Sequence, residues 1–206
     1  MRDEKGFDQW AKDYDESVDA TEKAEEYPFA GYDDIHDAIC RIVAEKEAPV
    51  ILDIGFGTGA LTVRLYEGGA SVWGQDFSEN MIAIAREKMP EAHLFKGDFS
   101  EGLREPLLQN RYDFIIATYS IHHLPDEKKP AFLRELQSLL KEDGLILIGD
   151  VSFLNEEDRD ACRRRAGERW DDEEFYIVYD ELCRVFPALR FRKMSHCAGL
   201  MQLGKE

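Results

Sequence analysis

The stretch Val50-Ile51-Leu52-Asp53-Ile54-Gly55-Phe56-Gly57-Thr58-Gly59-Ala60 decides the fold. Five mostly apolar residues rich in β-branched side chains read as a buried strand, and three alternating glycines then turn the chain into a helix. Glycine at such a turn lets the backbone take left-handed angles and approach a ligand that a Cβ would block. The alternation continues downstream, where residues 70–75, 92–96, 112–119 and 145–151 read as further strands. One intervening helix is opened by Ser78 as N-cap and closed at Pro90, and another spans 130–141 and stops near Gly144. Strands alternating with helices form parallel βαβ units, the mark of a doubly wound α/β fold.

Upstream, Phe7, Trp10, Tyr14 and Val18 recur at helical spacing, as do Tyr32, Ile35, Ile39 and Ile42. They predict an N-terminal helical cap over residues 1–47. Beyond Val151, residues 155–169 and 171–186 read as helices, the first within a helical insertion over 152–174. Residues 189–196 and 200–203 read as a closing hairpin around Ala198-Gly199. The 206 residues suit one domain over 1–206 with a full hydrophobic core.

The surface is strongly acidic, with 43 Asp and Glu against 26 Lys and Arg and a net charge of −17. Phosphate polymers bind proteins chiefly through Lys and Arg, so no nucleic-acid partner is expected. Arg163-Arg164-Arg165 is the one local exception, a candidate to pair with an anionic acceptor but more simply a solvated helix face. Cys40, Cys162, Cys183 and Cys197 are far apart and show no metal-ligand spacing, so they read as reduced thiols. No run approaches the length of a membrane span and the acidic N-terminus is unlike a secretion signal. The expected setting is cytoplasmic, without a membrane partner.

The glycine turn alone admits two ligands. Gly55-x-Gly57-x-x-Ala60 satisfies a relaxed dinucleotide fingerprint, so a nicotinamide-dependent oxidoreductase is a genuine rival, and Asp76 after the second strand suits ribose hydroxyls in either case. Three features favour a cationic nucleoside over a pyrophosphate. Asp53 places a carboxylate just before the first glycine, where it would repel two phosphates and attract an ammonium or sulfonium. Asp98, in Lys96-Gly97-Asp98-Phe99, is placed to accept from an adenine amino group. The fourth strand ends in Thr118-Tyr119-Ser120-Ile121-His122-His123, a polar and aromatic exit at the strand tips where ligands bind in this architecture.

Taken together, LDIGFGTG (52–59), VWGQDFSENM (72–81), KGDF (96–99), YDFIIATYSIHHL (112–124) and LLKEDGLILIGDVSF (139–153) resemble the class I S-adenosylmethionine (SAM)-dependent methyltransferases, over about residues 7–203. The leader FDQWAKDYDESV (7–18) with GYDDIHDAI (31–39) resembles a narrower bacterial group of methyltransferases linked to recycling SAM by-products toward cysteine. The resemblance implies a Rossmann-like, seven-stranded sheet of order 3-2-1-4-5-7-6 with the last strand antiparallel, and SAM as cofactor. It sets Gly55, Gly57 and Gly59 against the methionine part of SAM, with Asp53 close by, and Asp76 on the ribose. Phe77 and Met81 would flank the adenine, with Asp98 and Phe99 at its edge. Tyr14 and Thr118 complete the cofactor-binding candidates. Two departures stand out: Phe56 is bulky for the loop and is expected to point outward, and Gln75 replaces an apolar residue.

Methyl transfer to a hydroxyl or carbon acid needs a general base, and Tyr119, His122 and His123 are the catalytic candidates, imidazole being best matched to neutral pH. Adjacent histidines point in different directions and no carboxylate stands at ligand spacing beside them, so no metal is expected. Asp150 reads as a support for the strand-to-loop transition. The fourth-strand exit Ala117-Thr118-Tyr119-Ser120 lacks the Asn/Asp-Pro-Pro motif of nucleobase amino-methylating enzymes, and a small-molecule acceptor follows. A SAM or S-adenosylhomocysteine (SAH) binder without turnover is the remaining alternative.

Overall fold

The apolar runs pair side by side as strands. In the computed structural model, which describes residues 21–22 and 24–205, these are β1 (Val50–Ile54), β2 (Ser71–Asp76), β3 (His93–Lys96), β4 (Tyr112–Thr118), β5 (Leu140–Phe153), β6 (Ile177–Val178), β7 (Arg190–Lys193) and β8 (Ala198–Gly204). The sheet order is β3-β2-β1-β4-β5-β8-β7, with β6 a two-residue bridge against the end of β5. From β3 to β5 every pairing is parallel, and β8 runs antiparallel to both neighbours. With the short bridge set aside, this is the expected order 3-2-1-4-5-7-6 with the last strand of the chain antiparallel.

The helices are α1 (Tyr32–Val43), α2 (Ala60–Glu67), α3 (Glu79–Lys88), α4 (Glu105–Leu108), α5 (Lys129–Ser138), α6 (Glu156–Ala166) and α7 (Tyr179–Leu182). Alternation along the strands divides the core into two layers. Ile51, Phe114 and Leu147 pack with Ile35 and Ile39 of α1, Leu61 and Leu65 of α2 and Ile82 of α3. Leu52, Ile115 and Ile146 pack instead with Phe132, Leu133 and Leu136 of α5. Ser78 caps α3 as expected, accepting from the Met81 N–H. Gly149 lets α1 press onto β5, because a Cβ there would lie 2.3 Å from Ile35 Cγ2. That contact seats the first turn of α1 on β5 beside the end of β4, where Gly149 pairs with Thr118.

Three boundaries differ from expectation, each because tertiary pairing overrides local pattern. The helix expected over 130–141 ends at Ser138, because the Tyr112 N–H donates to Leu139 O and Leu140 pairs with Tyr112 as the start of β5. The helix expected over 171–186 shrinks to the single turn of α7. Ile177 and Val178 pair with Ser152 and Phe153, while Phe175 N–H donates to His122 O. The closing hairpin turns over residues 194–197 rather than at Ala198-Gly199, since Gly199 lies inside β8, where a Cβ would collide with the Phe191 ring. The helix expected around Phe7, Trp10, Tyr14 and Val18 lies outside the described residues, among which no helix is long and apolar enough to cross a membrane.

Candidate active site

β1, β2 and β4 deliver their carboxyl ends to one cavity. Gly55, Gly57 and Gly59 take φ of 71°, 56° and 80°, left-handed values that any other L residue adopts only with strain. Gly55 is also pressed against β4's exit: a Cβ there would sit 2.6 Å from Ser120 Cβ. Gly57 faces open space, where a Cβ would meet nothing within 4 Å, so its bare backbone forms a cradle at the cavity wall. The loop is tied down at β2, where Asp76 Oδ2 accepts from Gly57 N–H at 2.8 Å and Oδ1 from Ser78 N–H at 2.9 Å. Burial raises the Asp76 carboxyl above its ordinary value, against the opposing pull of these backbone donors.

Phe56 does not point outward. Its ring is buried over Gly74 of β2, where a Cβ would lie 2.7 Å from it, so the missing side chain of Gly74 makes room for a bulky residue under the loop. Gln75 is also explained. Its Oε1 accepts from Arg104 N–H at 2.8 Å and its Nε2 donates to Gly102 O at 3.1 Å, fastening the loop after β3 to the interior of β2.

Asp53 is buried beneath the loop, where its Oδ2 accepts from the Thr62 hydroxyl at 2.6 Å. Its Oδ1 has no hydrogen-bond partner among the described residues, and burial pushes the carboxyl up to about 7. A half-satisfied buried carboxylate beside a glycine cradle suits a ligand that brings positive charge, and is a poor neighbour for pyrophosphate.

Of the expected site residues, the cavity is lined by Gly55, Gly57, Asp76, Phe77, Met81, Phe99, Thr118, Tyr119 and His123. Gly59 sits behind the loop at the start of α2. Asp98 is exposed, caps the turn that follows it by accepting from Ser100 N–H, and faces a separate cleft with Gly97 and Arg104. Tyr14 lies outside the described residues. Tyr32 and His36 of α1 also line the cavity, although the sequence marks Tyr32 only by its helical spacing and gives His36 no role.

The exit from β4 is strained and crowded. Tyr119 has φ of 49°, a left-handed angle costing about 1–2 kcal/mol for a non-glycine residue, and its N–H donates to Gly149 O. Its ring lies 5.1 Å from that of Tyr32 and 5.3 Å from that of Phe29. The next turn separates the two histidines. His123 lines the cavity and its Nδ1 lies 2.9 Å from Glu174 Oε2. His122 turns away, its Nδ1 2.6 Å from Asp150 Oδ1 and its Nε2 3.8 Å from Glu174 Oε2. Burial alone would lower the His122 pKa, but the Asp150 and Glu174 carboxylates hold it above the ordinary histidine value.

Glu174 therefore overturns the expectation that no carboxylate stands beside the histidines, since one donor atom each from His122, His123 and Glu174 lie within 4.8 Å of one another. Carboxylate–imidazole hydrogen bonds account for this cluster. No local pattern announces Glu174, one of four consecutive acids in 171–174. Arg163, Arg164 and Arg165 sit exposed on α6, outside the cavity, with Arg163 paired to Asp172.

Residues 51–144 match the model of a family described as a methyltransferase domain. An uncharacterized methyltransferase of Geobacillus sp. (strain WCH70) is 36% identical over 188 residues, covering 87% of this chain and 85% of the relative. This chain belongs to the methyltransferase family. S-adenosylmethionine is the methyl donor of that family, as the resemblance implied, and the nicotinamide rival falls away. Among solved structures, a DhpI–SAH complex aligns at a TM-score of 0.68 and 18% identity, covering 98% of this methyltransferase and 96% of that chain. Magnesium protoporphyrin IX methyltransferase from Synechocystis PCC 6803 with bound SAH aligns at 0.63 and 18% identity, covering 84% and 83%. Both confirm the α/β Rossmann-like fold.

Proposed function

We propose that this methyltransferase acts in the cytoplasm on a small-molecule acceptor, with His123 withdrawing the acceptor's proton. The observation that carries this reading is the His123–Glu174 pair, at 2.9 Å, in the wall of the cavity that the glycine loop also lines. When bound, SAM supplies a methyl carbon made electrophilic by the adjoining sulfonium. The residues that would hold it are the cradle at Gly55 and Gly57, the Asp76 carboxylate and the apolar flank of Phe77, Met81 and Phe99, with the Asp53 carboxylate buried beneath the loop and outside the cavity lining. With Nδ1–H donated to Glu174, His123 would take the acceptor's proton at Nε2, as an imidazole oriented by a carboxylate does in other acid–base sites. His122, paired with the buried Asp150, packs edge-on against His123 with ring centroids 4.2 Å apart and is a positioning residue.

The acidic net charge and the absence of an Asn/Asp-Pro-Pro motif at the β4 exit support a small molecule over nucleic acid. The name of the protoporphyrin methyltransferase points to a small-molecule substrate for that fold neighbour as well. The leader motifs at 7–18 and 31–39 support placement in the narrower bacterial group tied to SAM by-product recycling toward cysteine.

The test is a radiolabelled-methyl screen over thiols, amines, carboxylates and phenols, run beside SAH titration by calorimetry. On the acceptor found, His123→Ala and Glu174→Gln should each lower turnover roughly 10²–10⁴-fold while SAH affinity stays near wild type. If SAH binds but no acceptor class is labelled, or if both variants turn over normally, this assignment is wrong.

A further inference from the structure

His36 stands apart from the cofactor residues. It is 3% exposed, its Nε2 is buried with no hydrogen-bond partner among the described residues, and it lines the same cavity as the glycine loop. Leaving such a nitrogen unpaired costs free energy unless a ligand or water satisfies it. Burial, the dominant cause, and the nearby Arg64 guanidinium lower its pKa to about 4, so the ring is neutral at physiological pH. A neutral imidazole donates from one nitrogen and accepts at the other, and it brings no charge to an anion. Arg64 itself is engaged at 2.6 Å with Asp37.

The surroundings of His36 are aromatic. Its ring centroid lies 4.0 Å from that of Tyr32, which lies 5.1 Å from Tyr119, which lies 5.3 Å from Phe29. Of this row, Tyr32, His36 and Tyr119 line the cavity, as does His123, the proposed base. Among the described residues no Lys or Arg lines it, whereas Asp76 does and Glu174 stands directly behind His123.

We propose that Tyr32, His36 and Tyr119 form the acceptor subsite, and that it takes a neutral or cationic small molecule with an aromatic or apolar body and one heteroatom hydrogen-bonded to His36 Nε2, excluding carboxylate and phosphate acceptors. This rests on the methyl-transfer reading of the cavity. The aromatic row supplies apolar contact and an attractive face for positive charge. A carboxylate there would lose its hydration without gaining a cationic partner. The subsite also turns the substrate search toward amines, phenols, alcohols and thiols.

Three probes of similar size separate the charge classes: benzyl alcohol, benzylamine and benzoate, each titrated by calorimetry into the full chain saturated with SAH. Benzyl alcohol and benzylamine should bind, and benzoate should bind about ten-fold more weakly or not at all. His36→Phe should weaken benzyl alcohol about five-fold or more with SAH affinity kept, and His36→Gln should restore part of the loss. Benzoate binding as well as the alcohol, failure of all three probes at millimolar concentration, or a His36→Phe variant that loses SAH instead of benzyl alcohol would each overturn the subsite. The probe series on the wild-type protein decides the charge preference even if His36→Phe does not fold. Failure of SAH itself to bind would instead strike at the cofactor reading.

Discussion

The cavity has two halves built by different means. The half around Gly55, Gly57, Asp76, Phe77 and Met81 comes from one short stretch of chain, and its working parts are largely backbone: left-handed glycines, a bare cradle and N–H groups tied to a carboxylate. The half around Tyr32, His36, Tyr119 and His123 is made of side chains from α1 and the β4 exit, supported by Asp150 within β5 and Glu174 from the irregular segment before β6. A donor common to a whole family can be held by conserved-geometry backbone, whereas an acceptor that differs from enzyme to enzyme is met by exchangeable side chains.

Gly55→Val should divide the two halves most sharply. It forces a β-branched residue to φ of 71° and drives a Cβ to 2.6 Å from that of Ser120. SAH affinity by calorimetry should fall about 100-fold or more, with the sheet retained by circular dichroism. Unchanged affinity would mean that the loop does not shape the cofactor half.

Asp53 tests the electrostatics of that half. Its folded-state pKa, raised by burial to about 7 from 3.8, means that the native state holds this proton more tightly than the unfolded chain. Its contribution is therefore fully present below about pH 4, and is lost as pH rises toward about 7. Between pH 5 and pH 8 the unfolding free energy from urea titration should fall by about 2–3 kcal/mol more in wild type than in Asp53→Asn. Parallel pH slopes would show that the carboxylate is comfortable where it is, and would remove one reason to expect a cationic ligand above it.

A smaller effect is expected at Gln75, which belongs to neither half but braces the loop after β3. Gln75→Ala removes two hydrogen bonds to residues 102 and 104, and should cost about 2 kcal/mol, read as a fall of a few degrees in Tm. His123→Ala turnover relative to wild type should be the same in this background, because the brace lies outside the acceptor half. A changed ratio would show that the halves are mechanically coupled.

The half proposed to hold the cofactor was legible because its requirements are local. A strand, a glycine turn and an acid at the tip of the next strand fall within residues 50–76, and each leaves a mark in composition and spacing. Phe56 misled only because its room is made by Gly74 on the neighbouring strand. Asp98 has the right spacing for the cofactor, yet its carboxylate caps its own turn. The half proposed for the acceptor was largely hidden: the histidines drew notice, but their carboxylates sit 28 and 51 residues downstream and no periodicity marks them.

From the sequence alone came the parallel βαβ core, the strand order implied by family resemblance, the glycine loop and the kind of ligand it suits, since these follow from periodicity, backbone freedom and charge within a few residues. Only the tertiary structure separated His123 from His122, supplied Glu174 and turned His36 toward the cavity. Those outcomes depend on which distant segments the sheet and α1 bring together, and on where Gly149 lets a helix approach a strand.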